Sequence, residues 1–171
     1  MSSYPVESPL SLTALPEVKV EMVIRQPVAK VFEAFVDPAI TTRFWFTRSS
    51  GRLEPGGTVR WDWEMYGASA DVKVLEVRAD SLILIEWDDP PTRVEWTFVD
   101  RDDQSTLVRI VNSGFAGTGD EAVAKAMDST GGFSYLLAAA KAYLEHGIAL
   151  NLVADHAPDA HLPEWTKARP G

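Results

Sequence analysis

Cysteine is absent from the 171 residues, which removes disulfides, thiolate metal sites and cysteine nucleophiles from consideration. No apolar run approaches the roughly 18 residues that a membrane-crossing helix requires, so membrane insertion is not expected. Basic residues are outnumbered, 16 against 25 acidic, and they are scattered. A net charge of -9 without a basic cluster argues against a nucleic-acid partner; the acidity reads as solubility. No basic stretch followed by an apolar one opens the chain, so no secretory signal is visible and a cytoplasmic location is expected. Histidine is scarce too, with His146, His156 and His161 all at or beyond the end of the last long helical segment. No H-E-x-x-H spacing, phosphate-cradling glycine loop or nucleophile elbow occurs, and neither a metal nor a cofactor is expected.

What is present is length enough for one core-bearing domain and an apolar fraction of 46%, ordinary for a globular chain. Residues 1–16 hold Pro5, Pro9, Pro16 and several serines and read as a flexible leader. Val18, Val20, Met22 and Ile24 alternate with Lys19, Glu21 and Arg25, the pattern of a half-buried strand. Pro27 opens a helix whose apolar side is Val28, Val31, Phe32, Phe35 and Val36; Asp37-Pro38 ends it, and a second short helix is expected over 39–44.

From there the pattern is strands. Glu54-Pro55-Gly56-Gly57 turns the chain into Val59, Trp61, Trp63 and Met65. Strands over 70–77, 82–87, around Trp96, and over 106–112 follow, separated by short polar or glycine-bearing turns. Short hairpins imply an antiparallel sheet. A helix over about 120–147 closes the series, with Val123, Met127, Phe133, Leu136, Leu137, Ala140 and Leu144 at helical spacing. It contains Gly131-Gly132, which together cost about 2 kcal/mol against alanine and so suggest that something packs close there. The tail, 149–171, either docks on the body or frays.

These words in this order resemble the SRPBCC superfamily, the START-like helix-grip fold, and within it the branch of activator of heat-shock ATPase homologues. The carrying residues are Ile24-Arg25-Gln26-Pro27-Val28 with Val31-Phe32, then Phe44-Trp45, and Pro55-Gly56-Gly57 before Trp61-Asp62-Trp63. Glu86-Trp87, Trp96-Thr97-Phe98, Ser113-Gly114-Phe115 and the stretch from Gly131-Gly132-Phe133 to Tyr143-Leu144 complete the match, over roughly 18–147. Phe133 stands where tryptophan is commoner in such proteins, and Asn112 where histidine is frequent. The resemblance implies an α+β helix-grip fold: a curved antiparallel sheet of six to seven strands wrapped around a long C-terminal helix, with two short helices after the first strand. The domain is expected over 17–148. An apolar cavity between sheet and helix is implied, open or filled by its own rings. Lipid carriers, plant allergens, polyketide cyclases and chaperone activators share this fold, so fold alone does not assign function.

Candidate ligand-contacting residues are the rings Trp45, Trp61, Trp63, Trp87, Trp96, Phe98 and Phe133, with Leu137, Tyr66 and Asn112. Trp61 with Trp63, and Trp96 with Phe98, are two apart and so share a sheet face. Each ring could equally be plain core. Asn112 shares parity with Val108 and Ile110 and is expected inward, whereas Arg109 is expected outward. Asp62 and Glu64 are expected in water, and Asp88-Asp89 in a solvated turn, which leaves no catalytic acid or base to name. Three readings stand at this point. The first is binding of a small apolar or aromatic molecule without catalysis. The second is a cyclase- or hydrolase-like activity in the same cavity, guided by Tyr66, Asn112 or Tyr135. The third is a chaperone-activator-like module with a protein partner. Homodimerisation is compatible with such folds, though no coiled-coil heptad argues for it here.

Overall fold

The computed structural model describes residues 8–168; the leader's first seven residues lie outside them. Strand β1 (Val18–Ile24) leads into helices α1 (Val28–Val36) and α2 (Pro38–Thr41), then strand β2 (Arg48–Ser49) and strand β3 (Thr58–Trp63). A 3-10 turn over Glu64–Tyr66 precedes β4 (Ala68–Arg78), β5 (Leu82–Trp87), β6 (Thr92–Arg101) and β7 (Ser105–Ser113). Helix α3 (Gly119–His146) follows, and the tail forms α4 (Leu152–Asp155), a 3-10 turn at Pro158–Ala160 and α5 (Pro163–Ala168). The seven strands make one antiparallel sheet in the order β1-β7-β6-β5-β4-β3-β2. This is the helix-grip α+β architecture that the resemblance implied.

The local signals explain the boundaries. Asp37 Oδ1 accepts from the Ala39 amide at 2.9 Å, so the residue that stops α1 also starts α2, which is four residues long and shorter than the sequence suggested. Thr118 and Glu121 form a reciprocal capping box that starts α3, and Gly147 at φ 66° ends it. The two-residue strand β2 has no sequence signature of its own; it exists because Arg48 and Ser49 pair with Asp62 and Trp61.

One face of the sheet carries the core. Ile83, Ile85, Val94, Trp96, Val108 and Ile110 meet Phe133, Leu136, Leu137, Ala140 and Leu144 of α3, with Phe32 and Phe35 of α1 filling the end near β6. The Lys141 ammonium donates to the Val23 carbonyl at 2.7 Å and the Gln26 amide to the Leu144 carbonyl at 2.9 Å, fixing the C-terminal half of α3 against β1. The N-terminal half is held differently. Ala122 and Ala126 bury against Val18 and Phe115, and Leu12 of the leader packs on the same cluster. The apolar stripe therefore runs through those alanines, and Met127, expected inward, is 70% exposed. The leader's Leu10 amide also donates to Asp120 Oδ1 at 3.1 Å.

Asp62 departs from expectation as well. It lies on the outer face, yet its side chain is only 13% exposed because Arg60 and Arg48 cover it at 3.1 and 3.2 Å. The Arg60 hydrogen bond foremost, with Arg48 adding to it against desolvation, holds its carboxyl below the usual range.

Candidate functional site

The strand ends converge at one end of the sheet. Trp63 closes β3, Trp87 closes β5, Thr92 opens β6 and Asn112 lies one residue from the end of β7. In an antiparallel meander these positions sit side by side. Against them lies the stretch of α3 from Lys125 to Phe133, and between them is an open cavity of about 580 Å3. That volume is within the range of small-molecule sites.

One wall is aromatic. Trp45, which follows α2, is its hub: its ring centroid lies 5.9 Å from Trp63, 6.2 Å from Trp87 and 6.3 Å from Phe133. Trp87 and Phe133 stack at 5.9 Å with an interplanar angle of 29°. Such tilted and offset pairs contribute about 0.5–1.5 kcal/mol each beyond area burial. The Trp87 indole N–H is buried without a hydrogen-bond partner among the described residues. Trp45, Trp63, Tyr66, Trp87, Asn112 and Phe133 all line the cavity. Trp61, Trp96, Phe98 and Leu137 do not. They are nearly fully buried in the core, where Trp61 stacks on Phe46 at 4.7 Å and Phe98 packs edge-on against Phe32. The period-two rule places the right rings on the inner face, but mid-strand rings are covered by the helices or, for Trp61, by Trp45 and Phe46, and of the strand rings only those at strand ends reach the cavity.

The double glycine has a different role from close packing. A Cβ at Gly131 or Gly132 would meet no atom within 4 Å, and Gly132 borders the cavity. Open space, and not a neighbouring backbone, accompanies it.

The second wall is polar. Ser129 Oγ donates to Asn112 Oδ1 at 2.8 Å; Asn112 Nδ2 donates to the Arg93 carbonyl at 2.8 Å and to Thr92 Oγ1 at 3.2 Å; Thr92 Oγ1 donates to Asp88 Oδ2 at 3.1 Å. Asn112 is inward and buried, as its strand parity required, and it is fully bonded. Asp88 was read from sequence as part of a solvated turn. It does lie in an exposed turn, but its carboxyl also borders the cavity, and desolvation pushes its pKa up against the opposing pull of the Thr92 hydrogen bond and the Lys125 charge. Lys125, Ser129 and Gly132 recur at helical spacing along α3 and all border the cavity. That polar stripe in the first half of the helix was the available signal for this wall; only the apolar positions of α3 and the double glycine were read from its sequence.

The tail docks and supplies the last wall. The Tyr66 hydroxyl lies 2.5 Å from the Val153 carbonyl and 3.0 Å from that of Ala154, and the Leu162 amide donates to the Met65 carbonyl at 2.8 Å. Desolvation, then the charge of Asp155, raises the Tyr66 pKa. Leu162 lies so close to Gly67 (φ 60°) that a Cβ there would sit 2.9 Å from its Cδ1; glycine meets both the left-handed backbone and the contact. Val153 and His156 face the cavity, and the Tyr135 ring lies 4.9 Å from His156. His156 and His161 spend ring nitrogens on the carbonyls of Val153 and Ala154. Among the described residues no cluster of three or more potential metal ligands occurs, and no helix is long and apolar enough to cross a membrane. Tyr66, Asn112 and Tyr135 all border the cavity, but no hydrogen bond among the described residues joins any two of them.

Comparison with known proteins gives the fold a context. A family model described as activator of Hsp90 ATPase homolog 1-like protein matches residues 25–145. The crystal structure of protein SSP2350 from Staphylococcus saprophyticus is 30% identical, with a TM-score of 0.70 over 79% of this chain and 96% of that one. The Aha1 dimer from Colwellia psychrerythraea is 18% identical, with a TM-score of 0.65 over 78% and 98% of the two chains. CalU16 from Micromonospora echinospora is 14% identical, with a TM-score of 0.64 over 88% and 86%. No curated protein matches.

Proposed function

The chain belongs to the activator of Hsp90 ATPase homolog 1-like family, and from that premise we propose that it binds a small apolar or aromatic molecule in the cavity beside α3 without transforming it. The observation that carries this reading is the cavity itself, about 580 Å3 and walled on one side by Trp45, Trp63, Trp87 and Phe133. Rings of this kind suit a planar ligand. One that buries about 200 Å2 of apolar surface gains roughly 5 kcal/mol gross at 25 cal/mol per Å2. Lost translational and rotational freedom offsets much of that, so the apolar wall alone supports modest affinity.

Native mass spectrometry of freshly purified protein, with denaturing extraction of whatever travels with it, tests the reading. A discrete extra mass is expected, and Gly132→Leu, which directs a side chain into open space at the cavity edge, should lose it. A clean unliganded mass, together with no quenching of tryptophan fluorescence by added β-naphthol, overturns the proposal.

A further inference from the structure

The polar wall has a direction. The Arg93 carbonyl can only accept, so the Asn112 side-chain atom 2.8 Å from it must be the nitrogen, and Oδ1 faces Ser129. The second amide hydrogen then goes to Thr92 Oγ1, which occupies a lone pair there and leaves the single hydroxyl proton for Asp88 Oδ2. Three neutral side chains on α3, β7 and β6 thus point their donors in series at one carboxylate. Asp88 Oδ1 receives nothing from the described residues. Asp88 itself takes φ 70°, which fixes where the carboxyl leaves the turn after β5.

We propose that Asp88 is the anchoring carboxylate of this cavity, and that the ligand is a ring system bearing a hydrogen-bond donor, a phenolic hydroxyl being the simplest. The inference deepens the binding reading above and rests on it. The donor would meet the free Oδ1 while the ring lies against Trp87 and Phe133. The residue is exposed in its turn, with one oxygen held by Thr92 and the carboxyl on the cavity edge, and desolvation as the first cause of its raised pKa agrees with a donor being favoured there. Thr92 is a positioning residue: it holds one oxygen so that the other is presented. Asp89 and Asp128 border the same cavity, and Lys125, which gives one ammonium hydrogen to the Ala116 carbonyl at 3.2 Å, is the one Lys or Arg among the described residues that line it. An anionic ligand is therefore disfavoured, and a neutral donor is favoured.

Two probes of one shape separate this inference from the reading beneath it: β-naphthol, which donates, and its methyl ether, which cannot. Binding is followed at neutral pH by tryptophan fluorescence. Wild-type protein should bind the naphthol about tenfold more tightly than the ether, as a hydrogen bond to an ionised acceptor gives. In Asp88→Gly, which suits the left-handed backbone there, the ratio should fall close to one, with near-ultraviolet circular dichroism confirming the fold. Thr92→Val, which keeps the carboxylate but not the hydroxyl aiming it, should lower the same ratio. Equal affinities for both probes in the wild type overturn the donor-anchoring role and leave the apolar site standing. A ratio that survives Asp88→Gly also overturns it. Binding of neither probe overturns both the anchoring role and the ligand-binding reading.

Discussion

Replacing Gly131 and Gly132 by alanine tests the meaning of the double glycine in α3. Glycine in a helix interior costs about 1 kcal/mol against alanine, through the greater backbone freedom it surrenders on folding. Whether the substitution recovers that depends on the space around each Cβ, and at both positions no atom stands within 4 Å. Neither residue has a positive φ. The full propensity gain should therefore appear: about 1 kcal/mol for each single variant and about 2 kcal/mol for the pair, or a rise in Tm of about 2–4 °C per variant for a chain of this size. Thermal unfolding followed by far-ultraviolet circular dichroism reads it directly. Ligand binding splits the two positions. Gly131 lies outside the cavity lining and Gly132 within it, so Gly131→Ala should leave probe affinity unchanged, whereas Gly132→Leu should weaken it. A fall in Tm for Gly131→Ala would refute the reasoning, since it would mean that something does pack against the helix there.

Other consequences are as direct. Trp61→Ala should cost about 3–5 kcal/mol in denaturant unfolding, because Trp61 is 1% exposed; Trp63→Ala, at the cavity rim, should cost clearly less, and equal losses would contradict the division between core and wall rings. Tyr66→Phe removes the hydroxyl that holds the Val153 and Ala154 carbonyls, so stability should fall by about 1 kcal/mol and α4 amides should exchange faster, while unchanged exchange would argue against that anchor. Asp88 has a folded-state pKa above its ordinary value, so the folded chain holds the proton more tightly than the unfolded one. The resulting stabilisation is complete below the ordinary carboxyl range and is lost as pH rises through the raised value. Lys125, Asp89 and Asp128 share that cavity end. Stability of the wild type relative to Asp88→Asn should accordingly decline across that interval, and parallel pH profiles would refute the shift.

The sheet was readable because its turns are explicit: Pro55-Gly56-Gly57, Gly67 and the polar stretch 102–104 each separate runs of alternating residues, and the register follows once the turns are placed. Helix α3 was readable from the helical spacing of Phe133, Leu136, Leu137, Ala140 and Leu144, while the capping box of Thr118 and Glu121 that starts it went unread. The cavity was readable only in part. Alternation distinguishes inner from outer face but not depth along a strand, so Trp61 and Trp63 looked equivalent although one is sealed and the other opens onto space. Asp88 does sit in the exposed turn that two aspartates before two prolines suggest, and its place on the cavity edge escaped because nothing in that turn's sequence marks it. Its significance depends on Thr92, Asn112 and Ser129, which come from three elements and meet only in three dimensions.

The docked tail has a consequence for how selectivity could change. The family match ends at residue 145, yet Val153 and His156 border the cavity and Tyr66 holds their segment in place. The cavity is thus composite, with one part of its lining inside the stretch that the family model matches and one face contributed by the chain beyond it. That face touches the scaffold through a few hydrogen bonds, the rings of His156 and His161, and the side chains of Leu152, Val153 and Leu162. No strand of the sheet comes from it, so a graft of another sequence over 150–162 would re-shape the cavity while leaving every strand register in place.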